Sequence, residues 1–189
     1  VIKSTSFLGR MYRAARLGEG VYEEVEADTS ATWQALAVVL LYSICAGIGS
    51  GLGTLPDITV GGFFWGLFVG LLSALAFWLI WSLITYIIGT TLLKGPETSA
   101  TYGELLRTIG FSATPGVLMI FSFIPFVGWA ISLAALAWML AAMVLAVRQA
   151  LDFNTGRAIA TCLVGGIIYV IFAVILGVIA GLGMWVFRW

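Results

Sequence analysis

Uncharged runs occupy Thr29 to Pro56, Ile58 to Leu93, Thr108 to Val147 and Ala158 to Phe187. Each is longer than the roughly 20 apolar residues that carry a helix across a hydrocarbon core of about 30 Å. The pattern predicts an all-α polytopic membrane protein. The first span is expected at about Ala31 to Ser50, closing on Gly47, Gly49, Gly51 and Gly53. The second runs from about Gly62 to Leu93 and is followed by Lys94, Gly95, Pro96 and Glu97. Its length of roughly 48 Å exceeds the bilayer, so it must tilt, kink near Gly89 or project into water. Thr108 to Val147 is too long for one helix and holds two breakers, Pro115 and the IPFVG reversal at Ile124 to Gly128. A third span is therefore placed at Pro115 to Ile124, behind an interfacial helix Tyr102 to Phe111, and a fourth at Val127 to Val147. The third rises only about 15 Å, so it either joins the helix before it across a kink or stops short of the far side. Ala158 to Phe187 supplies the fifth.

The polar stretches fix the ends of these spans. Phe7 to Leu17 places Phe7, Met11 and Ala14 on one helical stripe and Arg10, Arg13 and Arg16 on another. That is the pattern of a short amphipathic helix in the headgroup plane, its arginines toward anionic phosphates. Gly18 and Gly20 are expected to break it. Glu23, Glu24, Glu26 and Asp28 follow, either as a solvated acidic linker with Thr29 or Ser30 capping the first span, or as a docking surface for a basic partner. The chain so divides into an N-terminal segment, 1–30, and a five-span domain, 31–189. Five crossings with a cytoplasmic N-terminus gather Lys3, Arg10, Arg13, Arg16, Lys94, Arg107, Arg148 and Arg157 inside and leave only Arg188 outside. Trp33 at one boundary and Trp129, Trp185 and Trp189 at the other fit the interfacial belts. The basic N-terminal stretch has no apolar core before an A-x-A site, so the first span is expected to act as its own insertion signal.

Composition narrows the chemistry. Charged residues make up 10 % of the chain and hydrophobic ones 61 %, the mean hydropathy is +1.09, net charge is zero and there is no histidine. Nothing points to nucleic acid, a metal, a haem or any other cofactor. No span carries an ionisable residue near its centre, where proton relays and ion-coupled pumps place them. Cys45 and Cys162 fall about 10 Å apart in depth, beyond disulfide reach.

Small residues recur on the spans. Gly62, Gly66, Gly70 and Ala74 form one stripe, Ala173, Gly177 and Gly181 another, and Ala142, Ala146 and Ala150 a third. In lipid such stripes let a second backbone approach, either within the chain or on a partner helix. Ser82, Thr85, Tyr86 and Thr90 either bond the carbonyl one turn back or line a polar cleft. Arg148 with Asp152, and Glu104 with Arg107, have the spacing of interfacial ion pairs.

YGELLRTIGFSATPG at Tyr102 to Gly116 resembles the membrane domain of the Yip family, whose founders are named for interaction with Ypt/Rab GTPases. In that family a G-[YF]-[SA]-x-x-P step opens the third span, matched here by Gly110, Phe111, Ser112 and Pro115. VYEEVEADTSATWQA and AVRQALDFNTGRAI resemble flanking signatures of its prokaryotic branch, so the likeness covers about Val21 to Ala173. The founders' DLYGP-like N-terminal element is absent, and Rab binding is not carried over. The resemblance implies five spans, a cytoplasmic N-terminus and a non-enzymatic membrane organiser or accessory subunit. The expected setting is a prokaryotic plasma (inner) membrane, with the lipid bilayer and other integral membrane proteins or a second copy as partners. The rival reading is a small-molecule channel or transporter protomer lined by Ser82, Thr85, Tyr86 and Thr90.

Overall fold

The computed structural model describes residues 6–55, 57–95 and 98–186, with side chains of the last helix described as far as Ile175 apart from Ala173. Lys3, Pro56, Pro96, Glu97, Arg188 and Trp189 lie outside the described residues, as do the side chains of Ala173, Gly177, Gly181 and Trp185. Two short helices, α1 (Phe7–Ala15) and α2 (Glu19–Ala27), precede α3 (Ala31–Gly53), α4 (Val60–Ile87), α5 (Tyr102–Ser112), α6 (Gly128–Ala150) and α7 (Thr155–Val186). Five segments are long and apolar enough to cross a membrane: Ala31–Gly53, Val60–Leu92, Tyr102–Phe123, Gly128–Ala150 and, within α7, Thr155–Phe172. No strand occurs among the described residues. The fold is the expected all-α, five-span architecture.

The over-long second span resolves through its geometry. Thr59 starts α4 by accepting the Gly62 N–H at 3.1 Å. The α-helix then gives way to a π-helical turn at Ile88–Leu92. Gly89 sits in that turn against the Leu151 side chain, which would stand 2.8 Å (Cδ2) from an added Cβ. The third span is completed by the helix before it. Thr101 and Glu104 form a reciprocal capping box at the start of α5, and only Ala113 separates α5 from a 3-10 segment, Thr114–Phe123. At about 2 Å per residue this tighter helix rises further than an α-helix of equal length, so the joined segment, Tyr102–Phe123, is long enough to span. Pro115 fits there because the first turn asks no N–H of it. The chain reverses where expected: the Gly128 N–H donates to the Ile124 carbonyl at 2.7 Å, and Phe126 takes a φ of 62°.

The acidic stretch before the first span departs from expectation. It is not a linker but helix α2, with Val21, Tyr22 and Val25 fully buried against α5 and α6. Those three share one face at i, i+1 and i+4, which leaves the glutamates for the rim. The turn from α1 to α2 is made at Leu17, φ 56°, and Gly18, while Gly20 lies inside α2. Neither Thr29 nor Ser30 caps α3 with its side chain. Asp28 instead fixes the residue that enters α3, accepting the Ser30 N–H at 3.0 Å and the Ser30 hydroxyl at 2.6 Å.

Candidate functional site

One end of the bundle collects the charges. Arg10, on α1, is 4 % exposed and binds three neighbours: Glu24 of α2 at 3.0 Å, Asp28 at 2.7 Å and Gln34 in the first turns of α3 at 2.9 Å. Arg13 donates to the other oxygen of Glu24 at 2.6 Å. Burial works against the charge of Arg10, but bonds to Asp28 and Glu24 outweigh it and raise its pKa. The same balance, burial opposed by Arg13 and Arg10, holds Glu24 below the usual carboxylate range. Asp28 is lowered by its bond from the Ser30 hydroxyl and then by Arg10. Of the three arginines expected at lipid headgroups, two are thus bonded to protein carboxylates. Arg16 is the exposed one, its guanidinium 5.6 Å above the Tyr12 ring.

Neither expected ion pair forms. Arg148 pairs with Glu19 of α2 instead of Asp152. Arg107 turns away from Glu104 and donates to the Val25 carbonyl at 2.9 Å and to the Glu26 carbonyl. The reason is α2 itself, whose last carbonyls have no partner within their own helix and take donors from α5. Glu104 accepts the Thr101 N–H at 2.7 Å. These ties leave a recess of about 310 Å³ rimmed by Glu23, Glu26, Glu104, Asp152, Ala27 and Gln149. Burial, then repulsion from Glu104 and Asp152, pushes the Glu26 carboxyl up to about 7 despite Arg107. Among the described residues no cluster of His, Cys, Asp or Glu is placed to hold a metal ion.

A second cavity, of about 620 Å³, lies among α3, α4, α5, the 3-10 segment, α6 and α7. Gly66, Gly70 and Ala74 line it, and no heavy atom comes within 4 Å of where a Cβ on Gly66 or Gly70 would stand. Gly62 faces Thr59 and Ile58 of its own N-terminal turn. The close backbone approach occurs elsewhere: a Cβ on Gly110 would sit 2.7 Å from the Cβ of Ala35 and 3.2 Å from its carbonyl oxygen. Ala142, Ala146 and Ala150 are buried, so that stripe packs inside the chain. Of the hydroxyls expected to bond one turn back, Thr85 does so to Trp81 at 2.8 Å and Thr90 to Tyr86 at 2.7 Å, whereas the buried Ser82 hydroxyl has no hydrogen-bond partner. Ser82, Thr85, Tyr86 and Thr90 do not line the cavity; its hydroxyls come from Tyr42, Ser43, Ser50, Ser73, Ser112, Ser122, Ser132 and Tyr169.

The four motif residues act together on the path of the chain. Gly110 admits Ala35, Phe111 is fully buried, Ser112 donates to the Ile109 carbonyl at 2.7 Å, and Pro115 opens the 3-10 segment. Sequence reasoning missed Gln34 and the long-range role of Arg107. The signal for Arg107 was its position on the inner side of a helix otherwise filled by Leu105, Thr108 and Ile109, all buried.

A family model described as the Yip1 domain matches residues 19–187. No curated protein and no solved structure matches the chain.

Proposed function

The chain belongs to the Yip1 domain family, and from that premise we propose a non-enzymatic integral membrane protein whose task is interaction, as a scaffold or accessory subunit of a larger membrane assembly. The observation that supports this reading best is the acidic recess on α2, held over the spans by Arg10, Arg107 and Arg148. A charged surface whose backbone is fixed in advance loses little entropy on docking, and its sign selects a partner. The carboxyl groups of Glu23, Glu26, Glu104 and Asp152 suit a basic segment beside a span of another integral membrane protein or of a second copy. In this reading the charged end faces the cytoplasm of a prokaryotic cell and Arg16 rests on anionic headgroups.

The test is a comparison of the wild-type protein with Glu23→Lys and Asp152→Asn, each purified in mild detergent from its native membrane. Asn is chosen at 152 because that residue has a φ of 52°, which Asn tolerates. The expected outcome is a stoichiometric membrane partner with the wild type, lost from both variants at unchanged melting temperature. A partner retained by both variants removes the recess from the interaction, and no stoichiometric partner in any preparation removes the scaffold reading.

A further inference from the structure

The cavity among the spans has the dimensions and lining of a ligand site, since such sites occupy about 300 to 1,000 Å³. Along α3 it reaches from Val39 to Ser50, about 16 Å of depth at 1.5 Å per residue. That is half of a hydrocarbon core of about 30 Å. No charged side chain lines it among the described residues; the walls combine three methionines and four aromatic side chains with Val39, Ile109 and small residues. On one side α4 is not packed against α6 or the 3-10 segment, and Gly66, Gly70 and Ser73 there are exposed. The opening is therefore lateral, toward lipid. Ser50, Ser122 and Ser132 lie within about one turn of the far ends of their segments, at the level of the interface; Tyr42, Ser43, Ser73, Ser112 and Tyr169 carry the deeper hydroxyls, and Ile109 and Trp78 close the inner end.

We propose that this cavity holds one acyl chain of a membrane lipid, its ester at the rim of Ser50, Ser122 and Ser132 and its tail running toward Trp78. The cavity's walls, uncharged and mostly apolar, suit hydrocarbon. A flexible hydrocarbon chain enters the same space without a polar backbone to satisfy, and the surrounding bilayer supplies it at high concentration. The methionines adapt to its shape.

The experiment uses the full chain in vesicles of phosphatidylcholine carrying a diazirine on one acyl chain, irradiated and mapped by peptide mass spectrometry. Adducts are expected on Tyr42, Met139 or Met143 inside the cavity, as well as on outward-facing Leu72 and Leu140. Gly66→Leu and Gly70→Leu fill open space, so each should lose the cavity adducts, keep those on Leu72 and Leu140, and melt as the wild type does. Cavity side chains that stay unlabelled overturn the proposal. So do cavity adducts that persist in both variants, and so does a cross-link from a cysteine at Gly70 to a second copy.

Discussion

The Arg107 guanidinium donates to the Val25 carbonyl at 2.9 Å, joining residues 82 positions apart. With its second bond to the Glu26 carbonyl it fastens α2 to the helix that carries the Yip motif. Arg107→Ala leaves both carbonyls without a donor in a buried joint, at an expected cost of about 2 kcal/mol. The change should appear as a lower melting temperature in detergent and faster hydrogen exchange in α2. Exchange rates that stay unchanged would show that α2 is held by Val21, Tyr22 and Val25 alone.

Arg10 and Arg16 lie six residues apart and should behave oppositely. Removing Arg10 leaves Glu24 to Arg13 and Asp28 to Ser30 beside a buried gap and loses charge-assisted bonds, at an expected cost of about 2 kcal/mol. Arg16→Ala should change stability by less than about 0.5 kcal/mol, as exposed positions do. Its effect belongs to binding: vesicles with anionic lipid should hold the wild type's α1 more strongly than the variant's, and salt should erase the difference. Equal melting temperatures for the two variants would refute the assignment of Arg10 to the fold.

Hydropathy and Pro/Gly punctuation made the five spans legible, because in lipid every backbone group must be paired and the helix is the local solution. What stayed hidden depends on contacts between distant segments. Arg10, Arg13 and Arg16 have the same spacing whether they meet phosphates or carboxylates, and only the return of α2 decides for Glu24 and Asp28. Gly66 and Gly110 look alike in sequence. One faces empty space and the other Ala35, because α4 diverges from α6 while α5 crosses α3 closely. The family motif was readable as a pattern, yet its task of turning an α-helix into a 3-10 segment shows only in the backbone.

Glu26 gives the charged end a pH dependence. Its carboxyl has an ordinary value of 4.5 and about 7 in the fold, so between those limits the folded state holds the extra proton and stability falls as pH rises. The contribution is complete below the lower value and lost above the upper one. The chain has no histidine to titrate in that window. Exchange of α2 amides should therefore quicken from about pH 5 to about pH 8 beyond the intrinsic rate, and Glu26→Gln should flatten that rise. A wild-type helix that tightens over the same range contradicts the assignment.

Gly110→Ala places a methyl 2.7 Å from the Cβ of Ala35, and overpacking of this kind costs about 1 to 3 kcal/mol. Gly66→Ala meets nothing and replaces the less favourable helix former, a gain of up to about 1 kcal/mol. Melting temperatures in one detergent should move in opposite directions. Destabilisation by Gly66→Ala would mean that a partner or a second copy reaches that glycine in the preparation.

Orientation completes the set, because the reading of the recess depends on which side it faces. The described basic residues Arg10, Arg13, Arg16, Lys94, Arg107, Arg148 and Arg157 belong to one end of the bundle, as the contacts of Arg107 with Val25 and of Arg148 with Glu19 require. Lys and Arg in short loops favour the cytoplasm, so that end is expected to face inward. On that reading Asp57 is expected outside and Asn154 inside, and both are exposed in the fold. With Cys45 and Cys162 changed to serine, an impermeant maleimide on intact cells should label a cysteine at Asp57 and spare one at Asn154. Labelling of Asn154 alone would invert the protein and place the acidic recess outside the cell, where a basic cytoplasmic segment cannot reach it. Labelling of both would require an even number of crossings between these positions, against the three segments, Val60–Leu92, Tyr102–Phe123 and Gly128–Ala150, that separate them.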